Sequence, residues 1–391
     1  MITYPQARTC PYQPAPGYDE LREGPPLRRT RLINGQEGWV VSGHREARAL
    51  LADSRVSSDR TNTGFPMIMP PALAAVQTSP NRPFIVRDDP DHNRIRRMLI
   101  PQFTARRLRE LQPEIEQIVH ATIDDMLAAG PPADLVSAFS LPIPSLVISR
   151  LLGVPWEDHE FFQRATKAIV QALDTTVTGE VLASLISYLS TLAQDPPPGL
   201  IAQLKEEQVA TGAMSQDDLV FTSMLLLGAG HETTSSMISV GVITLIDHPD
   251  QLAAFRSDPD TVPDAIEELL RYLTIVEAPL LRVAVADIEI AGEVIKAGEG
   301  IVFAGSIANR DPDAFEDPER FDISRTATHH ISFGYGVHQC LGQNLARTEL
   351  RLALSALFER VPTLRLAVPV EELGLRPAVS IQGVDALPVT W

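Results

Sequence analysis

Cysteine is nearly absent: the 391 residues hold only Cys10 and Cys340. So distant a pair gives no disulfide framework, which suits a reducing compartment and leaves each thiol free for other work. Long apolar runs are missing as well. The longest stretch, Leu219 to Ile246, is interrupted by His231-Glu232-Thr233-Thr234-Ser235-Ser236, whereas a spanning helix needs about 20 largely apolar residues. Met1 to Arg8 holds no apolar core of the kind a signal peptide needs. A soluble, cytoplasmic protein with no membrane contact is expected. Positive charge is also short, with 33 Lys and Arg against 50 Asp and Glu for a net charge of −17. Such a chain is a poor partner for nucleic acid or anionic lipid. Ordinary proportions of hydrophobic (44%) and charged (21%) residues exclude a disordered or collagen-like chain.

Proline, by contrast, is in excess at 32 residues, where about 5% is usual. Apolar periodic stretches run between the prolines, which therefore mark abrupt helix stops. Residues 1–40 read as an extended lead-in and 44–52 as a short amphipathic helix. The segment from Arg60 to Arg82 reads as a long apolar loop, a kind that is usually functional. Helical patterns cover 90–100, 104–129, 140–152, 156–172, 179–194, 199–211, 216–247 and 263–273. Gly130-Pro131-Pro132 and Asp195-Pro196-Pro197-Pro198-Gly199 are breakers. The period then changes to two: 283–290 reads as a strand with a turn at Ala291-Gly292-Glu293, and 301–304 as a second strand. A loop over 309–328 and a last helix over 341–360 complete a mostly helical pattern, with its minor β part in the second half.

Residues 216–247 form the longest predicted helix. Ser215 and Asp218 make a capping-box pattern at its start, and His248-Pro249 stops it. A helix apolar on every side is buried, so the polar block at 231–236 is buried or lines a cavity. Two readings stand: a Ser/Thr cluster that kinks the helix, or a kink that opens room for a ligand and aims Glu232 and Thr233 at it. His231-Glu232 begins a zinc-protease HExxH pattern, but Ser235 stands where the second histidine belongs. Gly228-Ala229-Gly230 is a lone GxG inside a helix, and no dinucleotide site.

The most specific stretch runs from Phe333 to Arg347 and contains Gly334, Gly336, His338, Cys340 and Gly342. Cys340 precedes a helix, whose unpaired N–H groups and dipole favour a thiolate. Gly334 and Gly336 permit tight backbone geometry, Gly342 allows close approach to a flat group, and Phe333 can shield the sulfur. A buried inert thiol remains an alternative, as does a zinc site from His329, His330, His338 and Cys340, whose spacings match no usual zinc module.

This loop resembles the haem-binding pattern FxxGxxxCxG of the cytochrome P-450 monooxygenases. Three further family patterns follow the family's order: Ala229-Gly230-His231-Glu232-Thr233 for AGxET, Glu268-Leu269-Leu270-Arg271 for ExxR, and Pro318-Glu319-Arg320-Phe321 for PERF. Asp88 to Arg97 and Arg271 to Val276 look most like soluble actinobacterial members. The resemblance implies the mainly α fold with minor β structure of that family, a helical bundle around a haem, over 1–391 as a single catalytic domain. It implies haem b with Cys340 as axial thiolate, and propionates held by His92, Arg96, Arg282 and His338. Spacing of i, i+4 puts His92 and Arg96 on one helix face. Ala229 and the loop residues Phe333, Gly334, Gly336 and Gly342 would adjoin the cofactor. Thr233 and Glu232 would organise water and deliver protons during oxygen activation. Glu268 and Arg271, completed by Arg320, would form a buried structural network.

Family topology places the substrate cavity against 60–86, 166–185, 224–233, 276–281 and the turn near Ile381-Gln382. Glu277 either recognises a basic or hydroxylated substrate there or faces solvent. Dioxygen and a mid-sized apolar molecule of specialised metabolism are the implied reactants. The alternatives are aryl coupling or ring closure without oxygen insertion, and a haem sensor without turnover. Arg94, Arg96, Arg97, Arg106, Arg107 and Arg109 crowd a stretch, 92–109, that holds no acid. They read either as ion-pair members or as a patch that docks an acidic ferredoxin. Electrons would come from that ferredoxin and its NAD(P)H-dependent reductase, and the protein is expected to be a monomer.

Overall fold

The computed structural model describes residues 3–170, 175–277, 280–376 and 381–391. Helices dominate, and most of the buried apolar side chains form one cluster among them. The central helix Gln216–Asp247 starts as the sequence indicates, with the Ser215 side chain accepting from the Asp218 N–H at 2.9 Å. It is buried almost throughout from His231 to Leu245. Several of its hydroxyls bond within the helix: Thr233 donates to the Ala229 carbonyl, Ser239 to Ser235 and Thr244 to Val240. Against it pack the helices Pro142–Leu152, Thr175–Leu192 and Gln343–Arg360. Gly228 and Gly230 are close-packing positions. A Cβ at Gly230 would sit 2.8 Å from Ile148, and one at Gly228 would touch Thr166 at 3.6 Å.

The β structure differs from expectation. Residues 1–40 are no mere lead-in, for they supply three strands of a six-stranded sheet ordered Thr3–Tyr4, Leu27–Leu32, Glu37–Val41, Gly300–Phe303, Leu281–Ala284, Val56–Ser57. Trp39, Val40 and Val41 lie parallel to Ile301, Val302 and Phe303. That pairing joins segments 262 positions apart and leaves no local mark in either of them. The strand read over 283–290 is two strands, Leu281–Ala284 and a hairpin arm Ile288–Ile290. Between them, Val285 turns to donate to the Arg55 carbonyl. Ala291 and Gly292 both take positive φ at the predicted turn. The apolar stretch 60–82 contains a short helix, Pro71–Thr78.

The helix Val262–Leu273 is fastened to the Gln343–Arg360 helix by Glu267, which accepts from Arg347 Nε at 2.5 Å and from one terminal guanidinium nitrogen at 2.9 Å and lies 3.2 Å from His330. Burial acts against the Glu267 carboxylate, but His330 and Arg347 outweigh it and hold the group at about 2. Burial pulls His330 below its ordinary 6.5 against the pull of Glu267, and Arg347 is the permanent cation of the group. A carboxyl depressed from its ordinary 4.5 stabilises the fold above that value, and its contribution disappears between about pH 4.5 and 2. The contribution is about 3 kcal/mol. Glu267→Gln is expected to flatten the fall of the urea midpoint across that range; an unchanged slope would show that the pair contributes nothing.

Candidate active site

Cys340 ends a loop held from within. Its N–H donates to the Phe333 carbonyl at 2.8 Å, and the Gly334 N–H to that of Ile331. Gly334 and Gly336 have φ of 70° and 74°, and a Cβ at Gly336 would lie 2.3 Å from the Leu51 carbonyl oxygen. Only glycine fits there. The final helix begins at Gln343, two residues later than expected, and the Gly342 N–H still reaches the sulfur. Burial pushes the Cys340 thiol up against the pull of that N–H, Arg96 and Arg347. Yet Cys340 is exposed. A thiol both accessible and poorly hydrated lines a cavity rather than the outer surface. Phe333 beside it lies under the Arg347 guanidinium, 4.6 Å from the ring centre.

Next to the loop, like charges gather. The His92 and His338 rings lie 3.9 Å apart, and Arg96 donates to the Gln339 carbonyl at 2.6 Å. Burial, with Arg282, His92 and Arg96 adding to it, drives His338 down to about 2. Burial also draws Arg282 down to about 10. Neither Arg96 nor Arg282 has a carboxylate partner among the described residues, while His92 Nε2 and His338 Nδ1 are buried without any hydrogen bond. Ring nitrogens left unpaired beside two guanidinium groups that meet only backbone carbonyls fit a bound group carrying carboxylates. The sequence-derived quartet His92, Arg96, Arg282 and His338 is thus one cluster.

On the central helix, Ala229 is exposed and Thr233, one turn on, is partly exposed amid buried neighbours. This face is left open by its neighbours. Glu232 does not share it. Buried to 2% exposure, it lies 3.3 Å from Arg376, which also donates to Ser236 and approaches Asp385; Lys167 stands 3.6 Å from that aspartate. Sequence reasoning missed Arg376 because it lies far along the chain, in a segment with no motif. His231, set aside as a false metal motif, is buried with Nε2 2.7 Å from the Thr166 hydroxyl and Nδ1 2.7 Å from the Leu227 carbonyl.

Two expectations need correction. Arg320 does not complete the buried network: its side chain is 62% exposed and pairs with Asp322. Glu268 and Arg271, both fully buried, bind through two parallel contacts of 2.7 and 2.8 Å, and the second cation on Glu268 is Arg325 at 3.3 Å. Arg320 contributes its carbonyl, an acceptor for Arg271. Nor does Glu277 meet a substrate or solvent, because it is buried against Arg8 at 2.7 Å and the Tyr4 hydroxyl. Residues 171–174 and 278–279 of the expected cavity wall lie outside the described residues. The arginine stretch is largely spoken for. Arg94 pairs with Asp218, Arg106 and Arg107 share Glu110, and Arg96 turns to the cysteine loop.

Comparison with known proteins decides the family. The profile of the family described as Cytochrome P450 matches residues 187–362. The chain is 53% identical to a vitamin D3 dihydroxylase of Streptomyces griseolus, over 99% of this chain and 96% of that one. It is 49% identical to a pentalenic acid synthase of Streptomyces avermitilis, over 100% and 97%. The chain belongs to the cytochrome P450 family. Its fold matches the crystal structure of the mycinamicin VIII C21 methyl hydroxylase of Micromonospora griseorubida with a TM-score of 0.94 at 38% identity, covering 100% of both chains. This P450 is a monooxygenase whose cofactor is haem. The accessible thiol and the two guanidinium groups without a carboxylate partner among the described residues fit that group. No helix among the described residues is long and apolar enough to cross a membrane.

Proposed function

We propose that this P450, acting as one catalytic unit over 1–391, oxygenates an apolar, mid-sized molecule of bacterial specialised metabolism. Haem, when bound, supplies the iron that activates dioxygen. Cys340 is its thiolate ligand, and His92, Arg96, Arg282 and His338 hold its propionates. The open Ala229–Thr233 face carries this reading, because it pairs a small residue that leaves room with a hydroxyl one turn away. By rotating about χ1, Thr233 can exchange the Ala229 carbonyl for water or reactant in the cavity. Glu232 stands behind it as the buried acid that restores the proton, and Arg376 holds its carboxylate. Asp385 and Lys167, about half exposed, form the outer end of that polar row.

Electrons come from a ferredoxin and its NAD(P)H-dependent reductase, with the P450 acting as a cytoplasmic monomer. Support for an acidic carrier comes from Arg97 and Arg109, exposed and without acid partners among the described residues, and from exposed Val337 on the cysteine loop. Incubation with candidate substrates, a competent redox pair and isotopically labelled dioxygen tests the reaction. A product heavier by one labelled oxygen supports insertion. Loss of two hydrogens instead would indicate coupling or ring closure.

Thr233→Ala keeps the cavity and removes the hydroxyl. Product formation is expected to fall on the order of 10²-fold while NAD(P)H consumption continues and peroxide accumulates. A variant that stays coupled would remove Thr233 from proton delivery.

A further inference from the structure

Arg60 is a cation with no carboxylate partner among the described residues. It follows the strand Val56–Ser57, which pairs with the strand bearing Arg282. Its surroundings are apolar: the guanidinium contacts the Met69 sulfur at 3.2 Å and lies 5.6 Å from the Phe65 ring centre. Nε is buried without a hydrogen bond. The nearest acids along the chain are engaged elsewhere. Asp59 binds Arg82 at 2.7 Å and the Thr61 N–H, and Asp88 takes the Ser58 N–H and the Ser57 hydroxyl. Burial pulls Arg60 down to about 10, and Arg282 adds to the pull. A guanidinium half-buried among Phe and Met side chains, with its Nε fully enclosed, is unfavourable unless something charged meets it.

We propose that Arg60 anchors a carboxylate at the junction of the haem cradle and the apolar wall Phe65–Met69. The planar fork of arginine suits that group. The carboxylate is either a haem propionate, extending the His92–Arg96–Arg282–His338 cluster, or the acid group of the substrate. In the second case the apolar substrate of the proposed function is a carboxylic acid, and this arm rests on that reading.

The test uses full-length holoprotein with Arg60→Gln and Arg60→Lys. Haem transfer to excess apomyoglobin reports the propionate. Optical titration of the Soret band with dodecanoic acid and its methyl ester reports the substrate carboxylate. If Arg60 holds the propionate, Arg60→Gln speeds haem transfer and Arg60→Lys partly restores it. If it holds the substrate, haem transfer is unchanged, acid binding weakens roughly ten- to hundredfold and ester binding stays the same. In either case the apoprotein of Arg60→Gln melts no lower than wild type, because the change removes an unbalanced cation. A lower apoprotein melting point with no change in either binding assay overturns the proposal. So do unaltered haem transfer and probe binding that is equal in both proteins or absent from both. Loss of the red-shifted carbon monoxide band from the wild-type protein would instead refute the haem-thiolate reading, independently of Arg60.

Discussion

Cys340→Ser abolishes oxygenation and removes the strongly red-shifted Soret band of the reduced, carbon-monoxide-treated protein. The hydroxyl fits where the thiol stood, but it gives the iron neither the polarisable anion nor the electron push of a thiolate. Cys10, the other thiol, lies beside Tyr12 in the N-terminal segment and does not replace it. The fold should be unaffected. The loop is held by the Cys340 N–H on the Phe333 carbonyl and by the glycine turns, and serine preserves all of these. Apoprotein stability is therefore expected to change by no more than about 0.5 kcal/mol, so loss of the band reports ligation rather than unfolding. A red-shifted band surviving in Cys340→Ser would mean that the ligand is not Cys340.

Legibility of the molecule from sequence followed the range of its contacts. The central helix was readable because its signals are local: Ser215 and Asp218 lie three residues apart, and His248-Pro249 follows directly. The cysteine loop was readable because tight turns demand glycine at fixed spacing, and Gly336 has no room for any other residue. Arg325, by contrast, reaches Glu268 from 57 positions away, and Arg376 reaches Glu232 from 144. No periodicity marks either contact. The N-terminal strands escaped for the same reason, since Glu37–Val41 joins them to Gly300–Phe303, more than 250 positions along the chain. Glu277 was misjudged because an acid in an apolar segment reads as a contact for something external. The residue that neutralises it, Arg8, is fixed by folding alone.

The second large effect is expected at Arg271, and it separates three arginines that sequence alone could not rank. Arg271→Met leaves the Glu268 carboxylate fully buried, with Arg325 at 3.3 Å as its one remaining cation among the described residues. Loss of one partner from such a pair costs about 3–5 kcal/mol, a large share of the 5–15 kcal/mol typical of a folded protein. The damage should also reach the haem site. Arg271 donates to the Asn309 carbonyl, and the Asn309 side chain accepts from the Ile331 N–H and donates to Ser332, where the cysteine loop begins. Haem retention is therefore expected to fall along with the urea midpoint. Arg320→Ala, which removes a 62% exposed side chain but keeps the carbonyl that Arg271 uses, should cost no more than about 0.5 kcal/mol. Arg325→Ala falls between them at about 1–3 kcal/mol, because its guanidinium also bonds the Glu316 and Asp317 carbonyls. If Arg320→Ala proved as damaging as Arg271→Met, the PERF arginine rather than Arg325 would be the third member of the network. Glu268→Gln combined with Arg271→Met supplies the remaining check. With no buried carboxylate left short of its partner, the double variant should be more stable than Arg271→Met alone, and equal stability would show that geometry, not the under-compensated carboxylate, sets the loss.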